Sequence, residues 1–279
     1  MSETDIIASQ SMTNWNGNGN QNSDTPPADA TVGLGTGGDI LNVSNSATLT
    51  INGYLNLNAG TVNITDGATI SVTPALLAGG DLTNAAGGTV NINNGTLLVS
   101  NEFNGNQGVY NITNGKLSVG NDFNGNQAVY NINIGGILNA GTNYTNINSA
   151  NINIKGGSVY FSGIANIDGG GKIDFHNIAG GLLEIDSTSL SDLSGDGLNI
   201  ENFVYGDQIK IKSTTDYSSD TFSTQVSGND LLIQVTADGK TTTIVTLKGF
   251  ATTSDANVIP DAAYKDGGIE EPLVDAPGS

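Results

Sequence analysis

NEFNGNQGVYNITNGKLSVG at residues 101–120 is followed directly by NDFNGNQAVYNINIGGILNA at residues 121–140, and the two blocks align without a gap. Phe103 falls over Phe123, Tyr110 over Tyr130 and Ile112 over Ile132. A fixed period of this size marks a repeat architecture, in which each repeat is one supersecondary unit and neighbours share a continuous core. Stepping back by one period finds DLTNAAGGTVNINNGTLLVS at 81–100, and stepping forward finds SANINIKGGSVYF at 149–161. Looser copies stand upstream, NVSNSATLTI at 42–51 and NITDGATISV at 63–72, spaced by 21 residues. The next spacing is 28, which predicts a loop insertion around residues 73–80.

Within each copy apolar residues alternate, as in Val62 and Ile64, Val90 and Ile92, or Ile152 and Ile154. That is the period of a β-strand with one buried face. A small residue follows at Ser46, Gly67, Gly95, Gly115 and Gly135, where a positive-φ corner is expected, and then a second alternating run such as Ile70 and Val72. Two or three short strands joined by tight corners make one coil, and coils stacked about 4.8 Å apart pair every strand in parallel. The sequence therefore predicts an all-β protein, a parallel β-solenoid of ~20-residue coils. Four or five inward apolar side chains per coil, each worth ~1.5–3 kcal/mol relative to exposure, offset much of the ordering entropy. Asn42, Asn63, Asn91, Asn111, Asn131 and Asn151 recur at the position between the first two inward residues and are expected to form an outward ladder of hydrogen-bonded amides. Such a ladder suits coil-to-coil bonding or a ligand-binding stripe, and the first needs nothing beyond the repeat.

The period blurs after Phe161, through a stretch that supplies the last coils, and the pattern changes beyond Asp186. Residues 198–250 hold LNIENFVYGDQIKIKS and then VSGNDLLIQVTADGKTTTIVTLKGF, where the turn at 237–240 joins two alternating runs as a hairpin. The expected organisation is a flexible N-terminal arm or cap at 1–30, a β-solenoid at 31–185, a small antiparallel β module at 186–259 and an acidic tail at 260–279. An open solenoid end exposes unpaired strand edges, so the arm and the module are both candidates to cover one.

Composition narrows the function classes. Of 279 residues 39 are Gly and only 13% are charged; all eight basic residues are Lys, and 27 carboxylates bring the net charge to -19. Such a chain repels polyanions, so neither nucleic acid nor membrane insertion is expected, whereas divalent cations are natural partners. No run approaches 18 consecutive apolar residues. There is no Cys, hence no disulfide framework and no thiolate metal site. The N-terminus, MSETDIIASQSMTNWNGNGNQNSD, lacks the basic and apolar regions of a secretory signal peptide, so export is expected to use another signal.

The coils resemble the β-strand-repeat passenger regions of large bacterial surface proteins, the adhesins and autotransporter-like chains, over roughly residues 31–185. The segment ENFVYGDQIKI with SGNDLLIQV and TTTIVTLKGF is similar to the C-terminal β module of proteins exported by one-step type I secretion. The likeness implies an extracellular or cell-surface protein exported without an N-terminal signal peptide, with an adhesin, surface-layer or matrix role. The ending DAPGS departs from the more hydrophobic ends of that class, and an autotransporter barrel is not expected.

Candidate chemistry is sparse. GTGGDILN at 35–42 fits most of one calcium-binding nonapeptide, with Asp39 as the acidic position, but such sites need a second turn and a turn-forming Asp is the plainer reading. Asp186, Asp192, Asp196, Glu201 and Asp207 gather where solenoid meets module, as calcium ligands or as solvated loop carboxylates. Polysaccharide-cleaving β-helices need paired carboxylates or a basic residue beside calcium, yet there is no Arg, and the single His176 lies in an alternating run. The aromatic pairs at 103 and 123 and at 110 and 130 suit core stacking better than a sugar platform. The resulting expectation is a non-enzymatic, secreted, self-assembling structural protein that requires no cofactor beyond possible calcium. Its partners would be itself, as a homo-oligomer or filament, or surface glycans. The alternative is a carbohydrate-active β-helix enzyme or glycan-binding module.

Overall fold

The computed structural model describes residues 3–6, 10–12, 31–33, 39–52, 54–57, 59–73, 82–83, 87–147, 149–161, 164–166, 171–186, 198–204, 206–212, 221–237, 239–250, 264–265 and 268–269. Among them there are strands and no α-helix. The strands form three long sheets of 12, 9 and 7 strands, one for each side of a coil, and a two-stranded pair at 264–269. Each coil lays one strand on each sheet: Val109–Thr113, Lys116–Val119 and Asp122–Asn124 pair in parallel with Val129–Asn133, Ile137–Ala140 and Tyr144–Asn146 of the next coil. This is the parallel β-solenoid that the repeat predicts.

Alternation along each strand decides what the coil encloses. Val62, Val90, Tyr110, Tyr130 and Ile152 form one buried column of the first sheet, with Ile64, Ile92, Ile112, Ile132 and Ile154 beside it. The second sheet adds Leu49, Ile70, Leu97, Leu117, Leu138, Val159 and Leu183, each fully buried. Phe103 and Phe123 from the third sheet stack with ring centroids 4.8 Å apart, and Tyr110 and Tyr130 stack at 4.9 Å. Buried aromatics at the coil spacing adopt offset stacking, so these four rings are core and offer no face to a sugar.

Local geometry departs from the sequence reading at two kinds of position. Gly67 and Gly135 have positive φ and Ser46 joins them at 57°, but in two coils the left-handed residue is the preceding one, Asn94 at 55° and Asn114 at 45°. Asn tolerates that region because its short polar side chain bonds locally. Gly95 and Gly115 are required for space instead: a Cβ at Gly95 would lie 2.7 Å from Ile64 Cγ2 and 2.9 Å from the Ile64 carbonyl oxygen. The second departure is the last rung of the amide ladder. Asn131 pairs with Asn153, while Asn151 pairs with Val129 and is exposed. This coil is 22 residues long rather than 20, and only Asn153 stands between two inward residues, Ile152 and Ile154.

Parallel stacking continues past residue 186. Leu182–Asp186 pairs with Gln208–Lys212, and Ile173 and Asp174 pair with Ile200 and Glu201. The antiparallel strands Thr221–Ser227, Asp230–Ala237 and Lys240–Leu247 then extend the first sheet, because Leu198, Asn199 and Ile200 pair in parallel with Val245, Thr246 and Leu247. Ala237 opposite Lys240 closes the predicted hairpin. At the other end Glu3–Ile6 pairs in parallel with Ile40–Val43, and Gln10–Met12 with Leu49–Ile51 of the second sheet. Those pairs occupy the edges that Ile40–Val43 and Thr48–Asn52 would otherwise expose. The 28-residue spacing is seen in the pairing of Asn63 with Asn91, with the inserted residues beyond Thr73 outside the described ones.

Candidate functional site

Among the described residues the outer face of the first sheet carries an amide ladder that spans six coils. Asn63 Nδ2 donates to Asn42 Oδ1 at 2.7 Å, and Asn91, Asn111 and Asn131 repeat the bond to the preceding coil at 2.8 Å each. Asn153 Nδ2 donates to Asn131 Oδ1 at 3.0 Å. Every bond has the same sense, from the amide of a later coil to the oxygen of an earlier one. In-register strands put identical side chains one strand spacing apart, so each amide meets its own kind. A primary amide has two N–H donors and two acceptor positions, and the ladder uses one of each.

The column ends in charge. One coil beyond Asn153 the same register position is Asp174, and beyond that Glu201. An ionised carboxylate has no proton to donate to Asn153. His176, two residues on, stands in: its Nε2 lies 2.9 Å from Asn153 Oδ1. Asp174 is buried and receives Asn202 Nδ2 at 2.8 Å and the His176 backbone N–H at 2.7 Å on Oδ1, with Lys172 Nζ 3.3 Å from Oδ2. Burial acts to raise its pKa, but the Asn202 and His176 hydrogen bonds and the His176 and Lys172 contacts together outweigh it and hold the carboxyl below its ordinary value. Lys172 also pairs with Glu201. The sequence reading considered His176 alone and overlooked this cluster, although counting one coil from Asn153 reaches Asp174.

Asp207 occupies a different kind of site. It is fully buried; its Oδ1 accepts the Gly181 N–H at 2.9 Å and its Oδ2 accepts the Val204 N–H at 3.0 Å. Burial pushes its pKa up to about 6 despite those donors. Oδ1 thus ties the loop before Gln208–Lys212 to the coil beneath, while Oδ2 closes that loop on itself. Of the other calcium candidates, Asp39 leads into Ile40–Val43 near the opposite end of the stack, and its carbonyl accepts the Thr61 N–H at 2.8 Å. Asp186 ends a strand opposite Lys212, and Glu201 is engaged by Lys172. Asp192 and Asp196 lie outside the described residues. Among the described residues no three His, Asp or Glu side chains are grouped to hold a metal ion.

Two shallow grooves follow the second sheet. One, of about 440 Å³, is lined by Lys116, Ser118, Asn139, Thr142 and Tyr160 among others. The other, of about 280 Å³, runs along the Asn–Gly corners at 94–95 and 114–115. Compared with known proteins, the chain matches no family model, no curated sequence and no solved structure.

Proposed function

We propose that the protein is a secreted structural element of a cell surface or extracellular matrix, of the surface-layer, filament or adhesin kind, which self-assembles and performs no catalysis. The observation that carries this reading is the amide ladder from Asn42 to Asn153. Its repeated bonds run along the solenoid axis and join coil to coil, the arrangement that suits a stiff rod. The Asp174 and His176 pair is likewise engaged in closing that ladder. The net charge of -19 and the likeness of the coils to bacterial surface-protein repeats support an extracellular setting, with divalent cations screening or bridging the acidic bodies.

A glycan-binding module is the second reading, favoured by one observation. The larger groove combines Tyr160 with the polar groups of Lys116, Asn139 and Thr142, the mixture of ring and hydrogen-bonding groups that sugars use.

Negative-stain images of purified protein with calcium and with chelator test the first reading, since filaments or sheets are expected and discrete particles under both conditions would overturn it. Incubation with a panel of neutral and acidic polysaccharides tests the absence of catalysis, which any released product would refute. Retention on an immobilised glycan, lost in Tyr160→Ala, would favour the second reading.

A further inference from the structure

Among the described residues, the first sheet ends on a strand that has none of the features that usually keep an edge unpaired. Thr221–Ser227 is outermost in the 12-stranded order, bonded on one side to Asp230–Ala237. Natural edges are blunted by shortness, by charge, by Pro or by a covering segment. The opposite end of this sheet, Glu3–Ile6, is four residues long with two acids. The edge of the second sheet, Gln208–Lys212, carries two lysines and is contacted by Gly268–Ile269. Thr221–Ser227 is seven residues long, uncharged and free of Pro, and Ser223 to Ser227 are all exposed.

An apolar row also runs out at this strand. Leu247 pairs with Leu231 and Leu231 with Val226; the first two are buried, and Val226 is 58% exposed. From this we infer that Thr221–Ser227 pairs antiparallel with the same strand of a second copy, about a two-fold axis at Thr224. The sequence TFSTQVS is self-complementary in that register. Phe222 comes opposite Val226 twice, Thr224 opposite itself, Ser223 opposite Gln225 and Thr221 opposite Ser227. One face therefore pairs Phe with Val on either side of a central Thr–Thr pair and the other pairs polar with polar, and cross-strand pairs of like character are the unit of sheet stabilisation.

Charge favours this geometry over head-to-tail stacking. Three strands lie beyond Leu198–Glu201 on each copy, so six strands and seven spacings separate the acidic solenoids, about 34 Å at ~4.8 Å per spacing. That exceeds the ~8 Å Debye length at physiological ionic strength, so the solenoid bodies repel only weakly. Stacking on Glu3–Ile6 instead would bring two acids to the seam. The inference rests on the self-assembling reading, of which it names one contact.

Cysteine substitution in the full chain tests it, because the chain has no other thiol. Thr224→Cys would face its own copy at ~4.5–5.5 Å between Cα atoms, within disulfide range, whereas two Ser227→Cys residues would stand ~20 Å apart. The expected result is a covalent dimer from T224C under oxidation and none from S227C. By analytical ultracentrifugation in chelator wild type has the mass of two chains, the unit that calcium bridges into larger assemblies, and Val226→Lys that of one with an unchanged melting curve. Larger assemblies in which T224C fails to cross-link would overturn the two-fold edge and leave self-assembly standing. A single chain for wild type at every concentration, with or without calcium, would overturn both.

Discussion

His176 Nε2 lies 2.9 Å from Asn153 Oδ1 and so ends the amide ladder at the coil where its own column turns to a carboxylate. The common sense of the ladder bonds requires a donor there. His176 must therefore carry its proton on Nε2 when neutral. Nitrogen NMR of the single histidine, in a chain that has no other, should show the Nε2–H tautomer at pH 8. An Nδ1–H tautomer would mean that the ladder runs in the opposite sense. Replacing His176 by Ala should cost only ~1 kcal/mol, because water can reach a half-buried amide oxygen.

Ile112→Asp should be among the most disruptive single changes. Ile112 is fully buried between Ile92 and Ile132, so the variant sets an unpaired carboxylate in a dry apolar column. Leaving a buried charge without a partner costs about 3–5 kcal/mol. Thermal or denaturant melting reads the loss, and an unchanged transition would show that the residue faces outward.

Gly95→Ala should destabilise through contact rather than through dihedral strain. The added methyl would meet both Ile64 Cγ2 and the Ile64 carbonyl oxygen, and backbone in a stacked coil has little room to yield. A loss of ~1–3 kcal/mol is expected, as for other overpacked sites. Gly228, which has φ of 62° and nothing near its missing Cβ, gives the contrast: Gly228→Ala carries the conformational cost alone. Equal losses in the two variants would refute the packing explanation.

Asp207 predicts a pH dependence of definite sign. Its folded pKa, about 6, lies above the ordinary carboxylate value of 3.8, so the folded state holds the proton more tightly than the unfolded chain. The stability it contributes is fully present below pH 3.8 and is lost as pH rises through about 6. The amount is of the order of 2–3 kcal/mol. Asp207→Asn keeps an acceptor for one backbone N–H and places an NH₂ against the other, and it cannot titrate. Denaturant melts of both proteins at pH 4 and pH 8 cancel every other carboxylate. The advantage of wild type over the variant should shrink between the two, and a constant difference would exclude a perturbed Asp207.

The coil, its register and its inward faces were legible in the sequence because they are local. A period of two within a strand and of 20 between coils places Tyr110 over Tyr130 and Ile112 over Ile132 without any knowledge of the rest. Where a coil lengthens, that count fails, and only pairing across the sheet identified Asn153 rather than Asn151 as the ladder residue. Nor does the sequence separate a glycine needed for its φ from one needed for its missing Cβ, since the atoms that crowd Gly95 come from the coil before. The contacts at the two ends are of the same nature. Asp174 with Asn202, Asp207 with Gly181, and Glu3–Ile6 with Ile40–Val43 bridge segments outside the exact repeat, so no period points from one partner to the other. The tertiary structure decided them, because a buried carboxylate or an open strand edge is satisfied by whatever donor the folded chain brings within reach.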